Sequence, residues 1–120
     1  METGLSEFQT DQASALLKAM GNPQRLRILL HLARGEKSVI ELESLVGLSQ
    51  SAVSQHLARL RQHGLVRPRR DGQMTFYALD GKEVPAILFI LDMLYGGNRA
   101  GALQSMAARI PVVQPDDFDS

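Results

Sequence analysis

The chain has 120 residues, 44 % of them apolar and 22 % charged, with thirteen basic side chains against thirteen acidic ones. One soluble globular domain is expected, and its neutrality argues against indiscriminate binding to polyanions. The absence of cysteine excludes disulfides, thiolate metal sites and cysteine nucleophiles.

Residues 1–10 read as a flexible leader without the basic and apolar segments of a secretion signal. A helix is predicted over 11–20, with Ala13, Leu16, Leu17 and Met20 at helical spacing. Gly21 stops it, Asn22 caps the next helix, and Pro23 fits the first position, where its missing N–H has no partner to lose. That second helix runs to about Ala33, burying Leu26, Leu29 and Leu30 with Ile28 as a further candidate, and Gly35 ends it. Ser38 and Glu41 have the spacing of a capping box and open a short helix to Val46, with Leu42 and Leu45 inward. Gly47 breaks it, and Ser49 caps another helix that runs to about His63 and closes at Gly64. Two short helices around a tight glycine turn form a helix-turn-helix. Val53, Leu57 and Leu60 make the buried stripe of the second helix, leaving Ser51, Ser54, Gln55, Ala58, Arg59 and Gln62 outward.

Two extended runs, 65–70 and 73–79, flank Asp71-Gly72, a hairpin signal, with Pro68 at an outer position of the ribbon. A last helix is predicted over 81–95, with Pro85 in or near its first turn and Gly96, Gly97 and Asn98 stopping it. A short helix over 99–109 is a further candidate, and 111–120 reads as a frayed acidic tail. The expected fold is therefore mainly α with a small β-hairpin: a winged helix-turn-helix over 11–96, followed by a partly disordered extension over 97–120. The longest apolar run, 86–91, is far short of the ~20 residues that span a bilayer, so a cytoplasmic protein with no membrane partner is expected.

Between Glu43 and Asp71 there is no acidic residue, but there are five arginines: Arg59, Arg61, Arg67, Arg69 and Arg70. A basic island around a small polar helix face suits a duplex reader, since phosphates supply attraction while short side chains inspect base edges. Ser49, Gln50, Ser51, Ser54 and Gln55 fall in the first two turns, the part that enters a major groove. Ser49, at the helix start, is as suited to a phosphate as to a base. The bland alternative is an ordinary solvated face. Arg69 and Arg70 flank the expected wing tip with Gln73 opposite, suited to phosphate or a narrow minor groove, or else to solubility alone. Of Arg59 and Arg61, one is expected to reach phosphate and the other to pair with an acid of the fold; Arg67 is undecided. The histidines make no metal set. His31 packs beside leucines, while His56 and His63 share a helix with no acid or thiol near them in sequence. His56 is a further candidate phosphate contact, and no metal or other cofactor is expected.

Val84, Ile87, Leu88, Phe89, Ile90, Leu91, Met93, Leu94 and Tyr95 wrap nearly all round the last helix. An ordinary surface helix carries one apolar stripe, so this one is expected to be covered twice, by its own domain and by a second copy. The expected homodimer interface comprises Leu16, Leu17, Met20, Ile87, Leu88, Leu91, Leu94 and Tyr95. Twofold-related recognition helices then sit roughly 34 Å apart and call for an imperfect palindrome in double-stranded DNA.

Residues 17–29, 47–61, 64–66 and 75–79 together resemble the ArsR/SmtB family of bacterial repressors, nearest its HlyU/BigR/NolR-like subgroup. The resemblance covers about 11–96 and implies a homodimer on an inverted-repeat operator, repressing transcription, with the first and last helices building the interface. The departures also matter. Metal-sensing members use cysteines, or Asp and His on the last helix; here that helix has Asp92 and no histidine. The two sensing cysteines of the subgroup align with Leu30 and Gly96. A constitutive or differently triggered repressor is therefore the better reading. The alternatives are a repressor gated by an unidentified small molecule and a winged helix used for protein–protein contact. No residue encodes repression as opposed to activation. An enzyme has little support, because no paired-carboxylate, serine–histidine or phosphate-loop motif stands in a fitting context.

Overall fold

Polar caps decide where the helices begin. In the computed structural model, which describes residues 4–97, the order is α1 (Glu7–Met20), α2 (Pro23–Leu32), β1 (Lys37–Ser38), α3 (Val39–Val46), α4 (Gln50–Gln62), β2 (Val66–Asp71), β3 (Met74–Leu79) and α5 (Glu83–Tyr95). α1 starts within the expected flexible leader. Ser6 Oγ accepts from the Gln9 amide at 3.1 Å and Gln9 Oε1 accepts from the Ser6 amide at 3.0 Å, a capping box that satisfies two end donors. Asn22 Oδ1 caps α2 through the amides of Gln24 and Arg25, with Pro23 at the first position. Ser38 and Glu41 form the expected capping box on α3. The expected extension beyond residue 97, including the helix over 99–109, lies outside the described residues.

The chain divides into two compact units, residues 1–85 and 86–120. In the first, α2, α3 and α4 pack around Ile28, Leu29, Leu32, Leu42, Val53, Leu57 and Leu60, each at most 3 % exposed. Leu30 and Leu45, expected inside, are 47 % and 48 % exposed, and Leu32 and Ile28 complete the α2 face instead. Leu26 is half-buried. Leu32, with Ile28 and Leu29 at i−4 and i−3, keeps the inward stripe, so Leu30 faces out.

The wing is a three-stranded antiparallel sheet in the order β1-β3-β2, not a two-stranded ribbon. Lys37 pairs with Tyr77 and Ser38 with Phe76; on the other side β2 pairs with β3 from Val66↔Leu79 to Asp71↔Met74. A strand of two residues carries no readable alternation, which is why β1 escaped the sequence. The register makes Gly72-Gln73 the two-residue loop, one step later than Asp71-Gly72 implied. Gly72 at φ 62, followed by a residue with negative φ, matches the hairpin turn that takes glycine first. β2 is an edge strand, where Pro68 is tolerated.

α5 starts at Glu83, and Pro85 falls in its first turn, where no intrahelical N–H bond is lost. No helix among the described residues is long and apolar enough to cross a membrane.

Ser38 is 2 % exposed and caps α3 while pairing in β1. Ser38→Ala should cost about 1 kcal/mol of stability, within the range for losing a cap. Urea unfolding followed by circular dichroism measures it.

Candidate nucleic-acid interface

Gly47 ends α3 in the left-handed region at φ 70, and its amide bonds to the Glu43 carbonyl at 2.9 Å. Two residues later the chain is extended at Ser49, whose Oγ accepts from the Ala52 amide at 3.2 Å and starts α4. Val53, Leu57 and Leu60 are buried along one side of α4. Ser51, Ser54, Gln55, Ala58, Arg59 and Gln62 are exposed on the rest, as the sequence predicts, and so is Gln50. The side chains of Gln50, Ser51, Ser54 and Gln55 form no hydrogen bond among the described residues. Ser49 is exposed too, but its hydroxyl oxygen already serves the cap.

A groove of about 240 Å³ runs between the start of α3, the first half of α4 and the hairpin. Gln50 and Ser54 line it from α4, Gln73, Thr75 and Tyr77 from the hairpin, and Ile40 from α3. The pairings Arg70↔Thr75 and Pro68↔Tyr77 put Arg70 on the same sheet face as Thr75 and Tyr77, the face turned to α4. Arg69, opposite Phe76, belongs to the other face.

Arg69, expected to meet nucleic acid, is engaged within the fold in this structure. Its Nε and Nη2 donate to Glu36 Oε2 and Oε1 at 3.0 and 2.7 Å, and its guanidinium lies 4.7 Å from the Phe76 ring centroid. The Arg69 guanidinium holds the Glu36 carboxyl below its ordinary range, so the pair is intact at neutral pH and opens only as pH falls through that lowered value. Arg67 is also committed, donating to the Leu79 carbonyl at 2.8 Å and approaching Asp80 Oδ1 at 3.5 Å. Arg59, Arg61 and Arg70 form no ion pair among the described residues, so neither helix arginine takes the acidic partner expected for one of them. Of the five arginines in that stretch these three remain exposed, two on α4 and one on β2.

His56 is half-buried on α4. Burial first, and the nearby Arg25 charge second, hold its pKa below the ordinary 6.5. That lowering favours the neutral ring, which still offers a hydrogen bond. Among the described residues no three or more His, Asp or Glu side chains cluster closely enough to hold a metal ion.

The apolar candidates also divide. Met20 and Leu88 are 4 % and 5 % exposed in the single chain. Leu17 and Tyr95 are 58 % and 77 % exposed, while Leu16, Ile87, Leu91 and Leu94 are half-buried. Phe89 and Ile90, outside the expected interface set, are 66 % and 47 % exposed. Glu36 and Ile40 carried no signal in the sequence. Glu36 meets Arg69 across 33 positions, and Ile40 lies two residues before Leu42, which was expected to be core.

A capped helix in front of a turn, a recognition helix with an uncommitted polar face, and a hairpin facing it define a winged helix-turn-helix regulator. The profile described as "Bacterial regulatory protein, arsR family" matches residues 22–67. The transcriptional activator HlyU of Vibrio cholerae is 50 % identical over 93 residues, covering 76 % of this chain and 86 % of that protein. Its reduced form superposes with a TM-score of 0.71 over 74 % of this chain and 94 % of that one. The transcriptional repressor BigR of Xylella fastidiosa superposes at 0.70 with 34 % identity, over 74 % and 91 %. A homodimeric winged helix-turn-helix DNA-binding domain from Mycobacterium bovis gives 0.67 with 30 % identity, over 78 % and 89 %. This chain belongs to the arsR family of bacterial regulatory proteins. It is a transcriptional regulator rather than an enzyme, as the sequence reading expected.

Because His56 binds its proton more weakly folded than unfolded, stability should fall as pH drops from 6.5 toward the folded value. A proton NMR titration should place the His56 midpoint below that of the same residue in the unfolded chain. A midpoint at or above it contradicts the burial argument.

Proposed function

We propose that the chain is a sequence-specific DNA-binding regulator that docks as a homodimer on an imperfect inverted repeat. The observation that carries this reading is the outward Gln50, Ser51, Ser54 and Gln55 face, flanked by Arg59 and Arg70 and free of internal partners. Gln55 can offer an adenine edge two hydrogen bonds, and serine serves either base or phosphate. Arg70, on the hairpin face turned to α4, grips the backbone beside the groove that the helix enters. Arg59 and Arg61 add phosphate attraction. Gln73, at the hairpin tip, is placed to follow the backbone.

Support for a second copy comes from apolar exposure on two helices, Leu17 on α1 and Phe89, Ile90 and Tyr95 on α5, and from the homodimeric Mycobacterium bovis relative. Large apolar side chains left in water favour burial at about 25 cal/mol per Å². Repression follows where the operator overlaps a promoter; the relatives include both an activator and a repressor. A cytoplasmic site, where the bacterial chromosome lies, goes with this reading. A small-molecule effector is not required by it.

Gln55→Ala should weaken operator binding by about 1–3 kcal/mol and leave random duplex nearly unchanged. Arg70→Ala should weaken both alike and flatten the salt slope by roughly 1 per protomer. Selection of duplexes from a random pool supplies the operator, and fluorescence anisotropy reads both effects. If Gln55→Ala keeps full operator affinity, the recognition face is misassigned. Leu17→Glu and Leu91→Glu should each shift sedimentation toward monomers; a dimer that persists through both places the interface elsewhere.

A further inference from the structure

Glu36 sits one residue before β1, at the far edge of the sheet from β2, yet Arg69 of β2 reaches it across β3. Phe76, the ring beneath the guanidinium, is the cross-strand partner of both Ser38 and Arg69. Fork and stack therefore strap all three strands on one face. A third group, Asp71 Oδ2, lies 3.9 Å from Arg69 Nη1. A lone exposed ion pair is weak because side-chain freedom and salt erode it. Two-point contact with a carboxylate, backed by an aromatic face, removes much of that freedom. Arg70, its neighbour, has no such partner among the described residues and faces α4.

We infer that Glu36 is a positioning residue for duplex binding: strand parity starts Arg69 on the sheet face away from α4, and Glu36, by pinning the guanidinium there, keeps this long side chain from swinging round the hairpin edge to the phosphate backbone and so limits sequence-independent affinity. This rests on the DNA-binding reading above. Each phosphate that a cation neutralises releases counterions on any sequence. A hairpin gripping with both Arg69 and Arg70 would hold every duplex more tightly. Glu36 leaves one arginine for that task, in keeping with a chain of zero net charge. The charge pattern of the wing is thus set by a residue that belongs to neither the hairpin nor the recognition helix.

The test uses the full chain, a random-sequence duplex and a salt series, with wild type, Glu36→Gln, Arg69→Gln and the double variant. Glu36→Gln should bind random duplex several-fold more tightly, with a salt slope steeper by roughly 1 per protomer. Arg69→Gln and the double variant should keep the wild-type slope. A merely structural role for Glu36 would lower affinity without steepening the slope. A Glu36→Gln slope equal to or shallower than wild type overturns the inference, as does a shallower slope for Arg69→Gln. If Glu36→Gln loses its helical circular dichroism, Arg69→Gln still decides, since only a guanidinium already on phosphate flattens the slope when removed. Wild type with no salt-dependent duplex binding rejects the DNA-binding reading and this inference together. Wild-type binding with unshifted variants rejects the inference alone.

Discussion

Burial of Val53, Leu57 and Leu60 fixes the rotation of α4 about its axis, and the whole interface depends on that rotation. Each of these side chains contributes about 1.5–3 kcal/mol by leaving water. Turning the helix by one residue would expose the stripe at a cost comparable with the whole stability of a small domain. Ser51, Ser54 and Gln55 therefore face outward because the leucines and valine take the inside. The outward polar face is what packing leaves over. The Ser49 cap and the left-handed Gly47 then set where the helix starts and how it leaves α3.

Electrostatics refines what packing presents. Five arginines fall in a stretch of sequence without acids, but folding brings Glu36 to Arg69 and Asp80 to Arg67 from outside that stretch. An acid-free window along the chain is not acid-free in space. Of those five, Arg59, Arg61 and Arg70 form no ion pair among the described residues. Strand parity does the sorting: adjacent arginines on one strand point to opposite faces, so Arg69 and Arg70 have different fates.

Features governed by neighbours in sequence were the legible ones. The Asn22, Ser38 and Ser49 caps, the α4 stripe and the hairpin all followed from contacts within a few residues. The family resemblance agreed with them, and the relatives now support it. Misreadings came where a local pattern had two solutions. Leu30 and Leu32 both suit a buried face of α2, and tertiary packing selects Leu32. Ser6 was hidden because its capping partner is glutamine within an otherwise polar leader. β1 and the Glu36–Arg69 fork depend on contacts between distant segments, which periodicity does not encode.

Ser38 belongs to two elements at once: its backbone pairs with Phe76 in the sheet, and its hydroxyl holds the first turn of α3. No slack linker separates the hairpin from the helix pair, so the two work like the jaws of a caliper with a fixed gap. On the DNA-binding reading proposed above, a duplex whose local width departs from that gap must bend to be accepted, which would sort sequences by their stiffness at base pairs that no side chain touches.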